Sequence, residues 1–411
     1  MICRSIQSDF FNALSIGLTD SSRLSCANWT IRTPLLRLAI MQDLRDENPY
    51  PSTRRVPQLD GVRGLAILLV LIHNIDSFSL LHLSEISAHG WMGVDLFFVL
   101  SGFLITGILL DTKKSDGYFK NFYARRCLRI WPLYYSLLIF MFFIVPHLRP
   151  SEARTIFERS SPWWAYPLFL QNFLVAIPAR AAGALGVTWS LAIEEQFYLI
   201  WPLFVRHFSS VQVKRIAMGV ILLSSPLRFY LNLHHVDIYS NFFCRLDGLM
   251  AGALLAVLVR SEAFVPLKHI KLVWVSFIAA TAIAIWTDNL QALWITFSMT
   301  SLASVSLVYL ALFCQRKWFQ SIFENRFLTY TGVISYGLYM LHKIPWDISK
   351  EIFGARHPFF STCMAIVFSY LLAALSWTVL EKPFVKLKRF FDLRTVDLPR
   401  ASRPAYNISS V

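Results

Sequence analysis

The feature that most limits what this chain can become is a succession of apolar runs, near residues 64–81, 92–110, 130–147, 163–177, 187–205, 216–233, 243–259, 271–287, 292–314, 328–346 and 358–380, joined by short loops rich in Lys and Arg. About 20 mostly apolar residues are enough for a helix to cross the hydrocarbon core of a bilayer. Inside lipid each segment has to satisfy its own backbone hydrogen bonds, which a helix does and an open strand does not. The expected fold class is therefore all-α, a polytopic membrane helix bundle. Composition agrees, since 55% of the 411 residues are hydrophobic, only 16% are charged and the mean hydropathy is +0.50. A formal charge of +14 would suit a nucleic-acid binder. Here the basic residues collect in the loops, where the positive-inside rule puts them, so no nucleic-acid partner follows.

Loop charge also sets the topology. Residues 111–129 hold Lys113, Lys114, Lys120, Arg125, Arg126 and Arg129 and are expected on the cytoplasmic side, as are Arg54 and Arg55 before the first run. The loops 206–215, 260–271 and 315–326 and the tail 382–394 are basic too, and all four fall inside only if residues 163–205 make one net crossing. That predicts about ten spans with both termini cytoplasmic. It also predicts a partial or re-entrant helix near 163–177, where Pro162, Pro167 and Pro178 interrupt regular structure. Residues 1–56 read as a disordered cytoplasmic lead, 57–390 as the membrane domain and 391–411 as a cytoplasmic tail. Met41 opens a natural-looking N-terminus, so the start of the chain stays open. The six cysteines show no paired spacing, and no HExxH, P-loop or dinucleotide turn is present, so no metal and no cofactor is expected.

Depth then sorts the polar residues. Leu59–Asp76 carries Arg63, His73 and Asn74 in an otherwise apolar helix, and ionisable groups there usually mark a site. At about 1.5 Å rise per residue, His73 stands roughly 15 Å along the helix from Arg63. Arg125 and Arg129 share a helical face with Arg126 beside them, a grouping suited to a phosphate, since a guanidinium fork can hold two oxygens. The loop bias alone would also explain these arginines. Glu194 and Glu195 sit within an apolar run, so at least one is expected to face the bundle interior. Further outward lie Asp95 and, deeper, Ser101, then Arg245 and Asp247 above a Gly248–Gly252 pair spaced for close helix packing. Arg245 is the expected partner of Glu194. His342 is placed near the outer surface. The arginines thus form a cytoplasmic layer, with His73, Asp95, Glu194, Arg245, Asp247 and His342 from mid-membrane outward. This suits a phosphate-bearing donor inside and an acceptor outside.

The segments LDGVRGLAILLVLIHN, GVDLFFVLSGFLIT, FYARRCLRIWPLYY, TWSLAIEEQFYLIWPL, RLDGLMAGALLA, ISYGLYMLH and LEKPF, in this order, resemble the acyltransferase-3 family of bacterial inner-membrane O-acyltransferases over roughly residues 57–390. The resemblance implies a ten-span enzyme of the bacterial inner membrane that moves an acetyl or other short acyl group from cytoplasmic acyl-CoA to a hydroxyl of an envelope or exported glycan. It implies His73 as the central catalytic residue, and Arg63, Arg125, Arg126 and Arg129 as acyl-CoA-binding. Nine residues separate Arg63 from His73 where ten are usual in the family, so at about 100° per residue His73 sits about 80° around the helix from Arg63, and Asn74, at about 20°, takes the usual orientation. On this reading His73 is general base or acyl relay and Glu194 orients it. Asn74, Asp95, Ser101, Arg245, Asp247 and His342 support the acceptor side, and the partners are acyl-CoA, a carbohydrate acceptor and membrane lipid. The alternative is a transporter or flippase of a lipid-linked sugar, because buried charges also line translocation paths.

Overall fold

The computed structural model describes residues 56–74, 84–158, 160–174, 183–261, 264–354 and 357–391. The lead up to residue 55 and the tail from 392 lie outside these residues. The fold is all-helical among them: α1 Pro57–Asn74, α2 Ser84–His89, α3 Gly93–Asp111, α4 Tyr118–Ile139, α5 Pro150–Glu158, α6 Thr188–His207, α7 Ser210–Leu233, α8 Phe242–Val259, α9 Ile270–Asn289, α10 Leu293–Phe313, α11 Lys317–Phe323, α12 Arg326–Val333, α13 Ser335–Leu341, α14 Lys343–Ser349, α15 Pro358–Ser376 and α16 Lys382–Lys386.

Among the described residues seven stretches are long and apolar enough to cross a membrane, and they contain α3, α4, α7, α8, α9, α10 and α15. The protein is a multi-pass membrane protein. The other three expected spans are helical as well, but differ in kind. Polar residues within α1 (Asp60, Arg63, His73, Asn74) and α6 (Glu194, Glu195, Gln196) lower their hydropathy. Residues 326–349 form three short helices broken at Ile334 and His342. The expected partial helix near 163–177 is corrected by two isolated 3-10 turns, Trp163–Ala165 and Gln171–Phe173; residues 175–177 lie outside the described ones. Proline removes a backbone donor and clashes with a continuing helix, and Pro162 and Pro167 bracket the first turn.

Burial separates inner from outer helices. In α8 and the α3 stretch 72% of the apolar window is buried, against 17% in α7 and α9, whose exposed Leu222, Leu223 and Ile278 are suited to lipid. The inner pair approaches closely because glycines remove side chains at the crossing. A Cβ on Gly102 would stand 1.9 Å from the Leu249 carbonyl oxygen, and one on Gly252 2.0 Å from that of Val99. α1 crosses α12 in the same manner, with Gly64 against Leu328 and Gly332 against Asp60.

Two buried ion pairs join these helices. Arg245 of α8 meets Asp95 of α3 at 2.9 Å, and Arg228 of α7 meets Asp247 of α8 at 2.9 Å. A charge withdrawn from water needs a partner at this distance, since the desolvation cost is several kcal/mol per ion. Phe297 of α10 covers Arg245 at 3.8 Å from ring centroid to guanidinium carbon, with Phe98, Trp189 and Tyr239 around it. The brace thereby fixes these ends of α3, α7, α8 and α10 relative to one another.

Candidate active site

The bundle carries two polar regions, one near each end of α1. At its N-terminal end Arg63 lies 3.6 Å from Asp60 on the next turn up the chain. α4 brings three more arginines. Two tyrosines tie α4 to α6, the Tyr118 hydroxyl donating to the Pro202 carbonyl at 3.1 Å and that of Tyr123 to Leu199 at 2.8 Å. Arg126 consequently lies over Tyr198 of α6, with its guanidinium carbon 5.5 Å from the ring centroid. Arg129 lies 3.6 Å from Glu381 and over Trp377, while Arg125 donates to the backbone carbonyls of Lys388 and Phe391. All four arginines sit close enough to Lys388 to act on it electrostatically. Arg126 has no ion-pair partner among the described residues. Four guanidinium groups, with Lys388 among them, around Asp60 and Glu381 leave an excess of positive charge that an anion with several oxygens would satisfy. The sequence foresaw the four arginines. It missed Lys388, which looked like ordinary tail charge.

Glu194 belongs to this side of the bundle. The Ser101 hydroxyl donates to its Oε1 at 2.8 Å and the Tyr198 hydroxyl to its Oε2 at 3.0 Å. The expected Glu194–Arg245 pair is overturned, because Arg245 is taken by Asp95. Glu194 also stands apart from the walls around His73, so an orienting role toward that imidazole finds no support. Ser101 is thereby assigned a definite task, that of anchoring Glu194.

At the C-terminal end of α1 opens a cavity of about 740 Å³. Its walls come from the end of α1 (Val70, His73, Asn74), residues 88–94, residues 183–189, residues 237–240, the α9–α10 turn (Asp288, Asn289, Gln291) and Tyr339 with Lys343. Those are the segments the loop charges assign to the outer face. His73 is half-buried, and its Nδ1 donates to the Ser87 backbone carbonyl at 2.8 Å. A carbonyl only accepts, so the proton is on Nδ1 and the lone pair of the neutral ring is on Nε2. Asn74 turns its amide nitrogen back to the Val70 carbonyl at 2.8 Å. Both residues border the cavity despite the shortened spacing.

Asp95, Arg245 and Asp247 form the buried brace behind the cavity and do not line it. His342 lies behind the wall as well. It is 3% exposed, at the break between α13 and α14, with Nδ1 bonded to the Leu338 and Tyr339 carbonyls, so it is enclosed by protein and does not line the cavity. Its neighbours Tyr339 and Lys343 line the cavity instead. His89, Asp237, Tyr239 and Asp288 were missed as well, since they sit at helix ends and in loops where a polar residue is unremarkable until the fold brings them together. No group of three or more His, Cys, Asp or Glu suited to a metal occurs among the described residues.

Residues 56–380 match the model of a family described as an acyltransferase domain, acyltransferase-3. Peptidoglycan O-acetyltransferase OatA of Listeria monocytogenes is 27% identical over 364 residues, covering 82% of this chain and 56% of the relative. A putative O-acetyltransferase of Staphylococcus aureus is 27% identical over 82% of this chain and 58% of its own length. The putative peptidoglycan O-acetyltransferase YrhL of Bacillus subtilis is 27% identical over 80% and 55%. The chain spans a little over half the length of these curated relatives. No solved structure matches it. With a match that runs through Arg63, His73, the α4 arginines and Glu194, this chain belongs to the acyltransferase-3 family.

Proposed function

We propose that the protein is a membrane O-acyltransferase of the bacterial cell membrane, taking an acetyl or other short acyl group from cytoplasmic acyl-CoA and delivering it to a hydroxyl of an envelope carbohydrate. The observation that carries this is the division along α1. A cluster of Arg63, Arg125, Arg126, Arg129 and Lys388 stands near one end and a cavity bordered by His73 at the other. Phosphates of a CoA ester suit the arginine end, because several guanidinium forks can each hold two oxygens. A sugar suits the cavity, whose walls mix Trp91, Trp189 and Tyr239 with Asp237, Asn289 and Lys343. Relatives named as peptidoglycan O-acetyltransferases support a carbohydrate acceptor.

His73 carries the transfer in this reading. Its Nε2 lone pair can engage an acyl carbon or a hydroxyl proton, whereas the Asn74 amide can do neither. Losing such a group typically costs about 10²–10⁴ in rate. Glycan O-acylation is therefore expected to fall by that factor in His73→Ala and to remain measurable in Asn74→Ala, compared in a deletion strain complemented with each variant. Near-normal acylation with His73→Ala and none with Asn74→Ala would overturn the assignment. A transporter would instead move the glycan without consuming acyl-CoA.

A further inference from the structure

Two histidines border the cavity, and they are held differently. His73 rests on a neutral partner, the Ser87 carbonyl. His89, at the end of α2, rests on a carboxylate, its Nδ1 donating to Oδ2 of Asp288 in the last turn of α9 at 2.6 Å. Trp91 donates its indole N–H to the same oxygen at 3.3 Å and so fixes that carboxylate from a second side. The remaining nitrogen of His89, Nε2, is buried and has no hydrogen-bond partner among the described residues. The two residues line the same cavity, and Gly90, which follows His89, packs onto α1 so tightly that a Cβ there would stand 2.9 Å from the Cβ of His73.

These differences divide the chemistry. A carboxylate behind an imidazole stabilises the imidazolium and holds the tautomer with the lone pair on Nε2, which makes a proton acceptor of that nitrogen. His73, whose Nδ1 donates to the Ser87 carbonyl, keeps the nucleophilic role that the acyltransferase reading gives it. We propose that His89 and Asp288 form the acid–base dyad that removes the proton of the acceptor hydroxyl, leaving His73 to hold the acyl group; this rests on the acyltransferase reading above.

The steps balance. Nε2 of His73 attacks the thioester carbonyl carbon, the C–S bond breaks and the thiolate leaves with its electron pair. The acceptor oxygen then attacks the same carbon as its O–H proton passes to Nε2 of His89. The bond from the carbonyl carbon to His73 Nε2 breaks, its electron pair returns to the ring, and a neutral ester departs. The His89 imidazolium, stabilised by Asp288, returns its proton to water.

The test uses the purified full-length protein in lipid nanodiscs, with radiolabelled acetyl-CoA as donor and a chitooligosaccharide as acceptor. Label bound to the protein and label passed to the sugar are each followed in a single turnover. His89→Gln and Asp288→Asn are expected to load the protein at the parent rate but to transfer about 100-fold or more slowly, so that protein-bound label accumulates. His73→Ala is expected not to load. A merely structural role for His89 would lower the yield of folded protein without this accumulation. Parent-rate transfer by either folded variant, or loss of loading in His89→Gln, would overturn the proposal. If His89→Gln does not fold, Asp288→Asn decides by the same two rates. Failure of the parent itself to load or to acylate any carbohydrate would strike the acyltransferase reading instead.

Discussion

Arg126 and Arg125 are adjacent in sequence and differ in what they are free to do. Arg125 donates to two backbone carbonyls of the C-terminal segment, while Arg126 meets only aromatic faces among the described residues. A charge-assisted contact to phosphate is worth about 1.5–3 kcal/mol, or roughly 10- to 150-fold in affinity. Arg126→Ala is therefore expected to weaken binding of a CoA ester by that factor with little change in thermal stability, and Arg129→Ala to do the same at some cost in stability, because it strands Glu381. Lysine in either position should restore only part of the affinity, since it keeps the charge and loses the fork. Equilibrium binding of a labelled CoA ester to the purified variants measures this, and unchanged affinity in both alanine variants would return these arginines to a purely topological role.

Among elements, the contact between α3 and α8 depends on two features of the same surface: glycines that let the backbones meet and the Arg245–Asp95 pair beside them. Removing one partner of a buried pair costs about 3–5 kcal/mol, because the other charge is left without compensation, whereas replacing both with apolar residues is often neutral. Asp95→Ala is expected to lower the unfolding midpoint in detergent sharply, and the double variant Asp95→Leu with Arg245→Met to recover most of the loss. If the double variant is no better than the single one, the pair is not what holds these helices together. Sequence spacing showed that Gly248 and Gly252 could allow a close crossing. It could not show that Gly102 meets this helix from the other side, or that Arg245 would choose Asp95 over Glu194, because both acids lie at compatible depths on different helices.

For the whole molecule, the topology makes a prediction of its own. The loop with Lys113 and Lys114 and the turn with Gln291 lie at opposite ends of the expected bundle topology, and both are reachable from solvent: Lys114 and Gln291 are exposed. In a cysteine-free background, Gln291→Cys is expected to react with a membrane-impermeant maleimide in intact cells, and Lys114→Cys only after the membrane is opened. Reaction of Lys114→Cys from outside would sink the assignment of the arginine cluster to the cytoplasmic face.

The amino-acid sequence by itself determined the fold class, most of the helix positions and the identity of the arginine layer, because hydrophobic length, loop charge and a few embedded ionisable residues are local properties that lipid makes unusually demanding. His73 was legible for the same reason. What only the tertiary structure decided is partnership. Ser101 and Tyr198 hold Glu194, His342 is enclosed in the interior, and His89, Asp288 and Trp91 come together from segments almost 200 residues apart. Each of those outcomes depends on which helix faces which. That is settled by side-chain fit and by pairing of buried charge across the whole bundle, and no single segment carries the information alone.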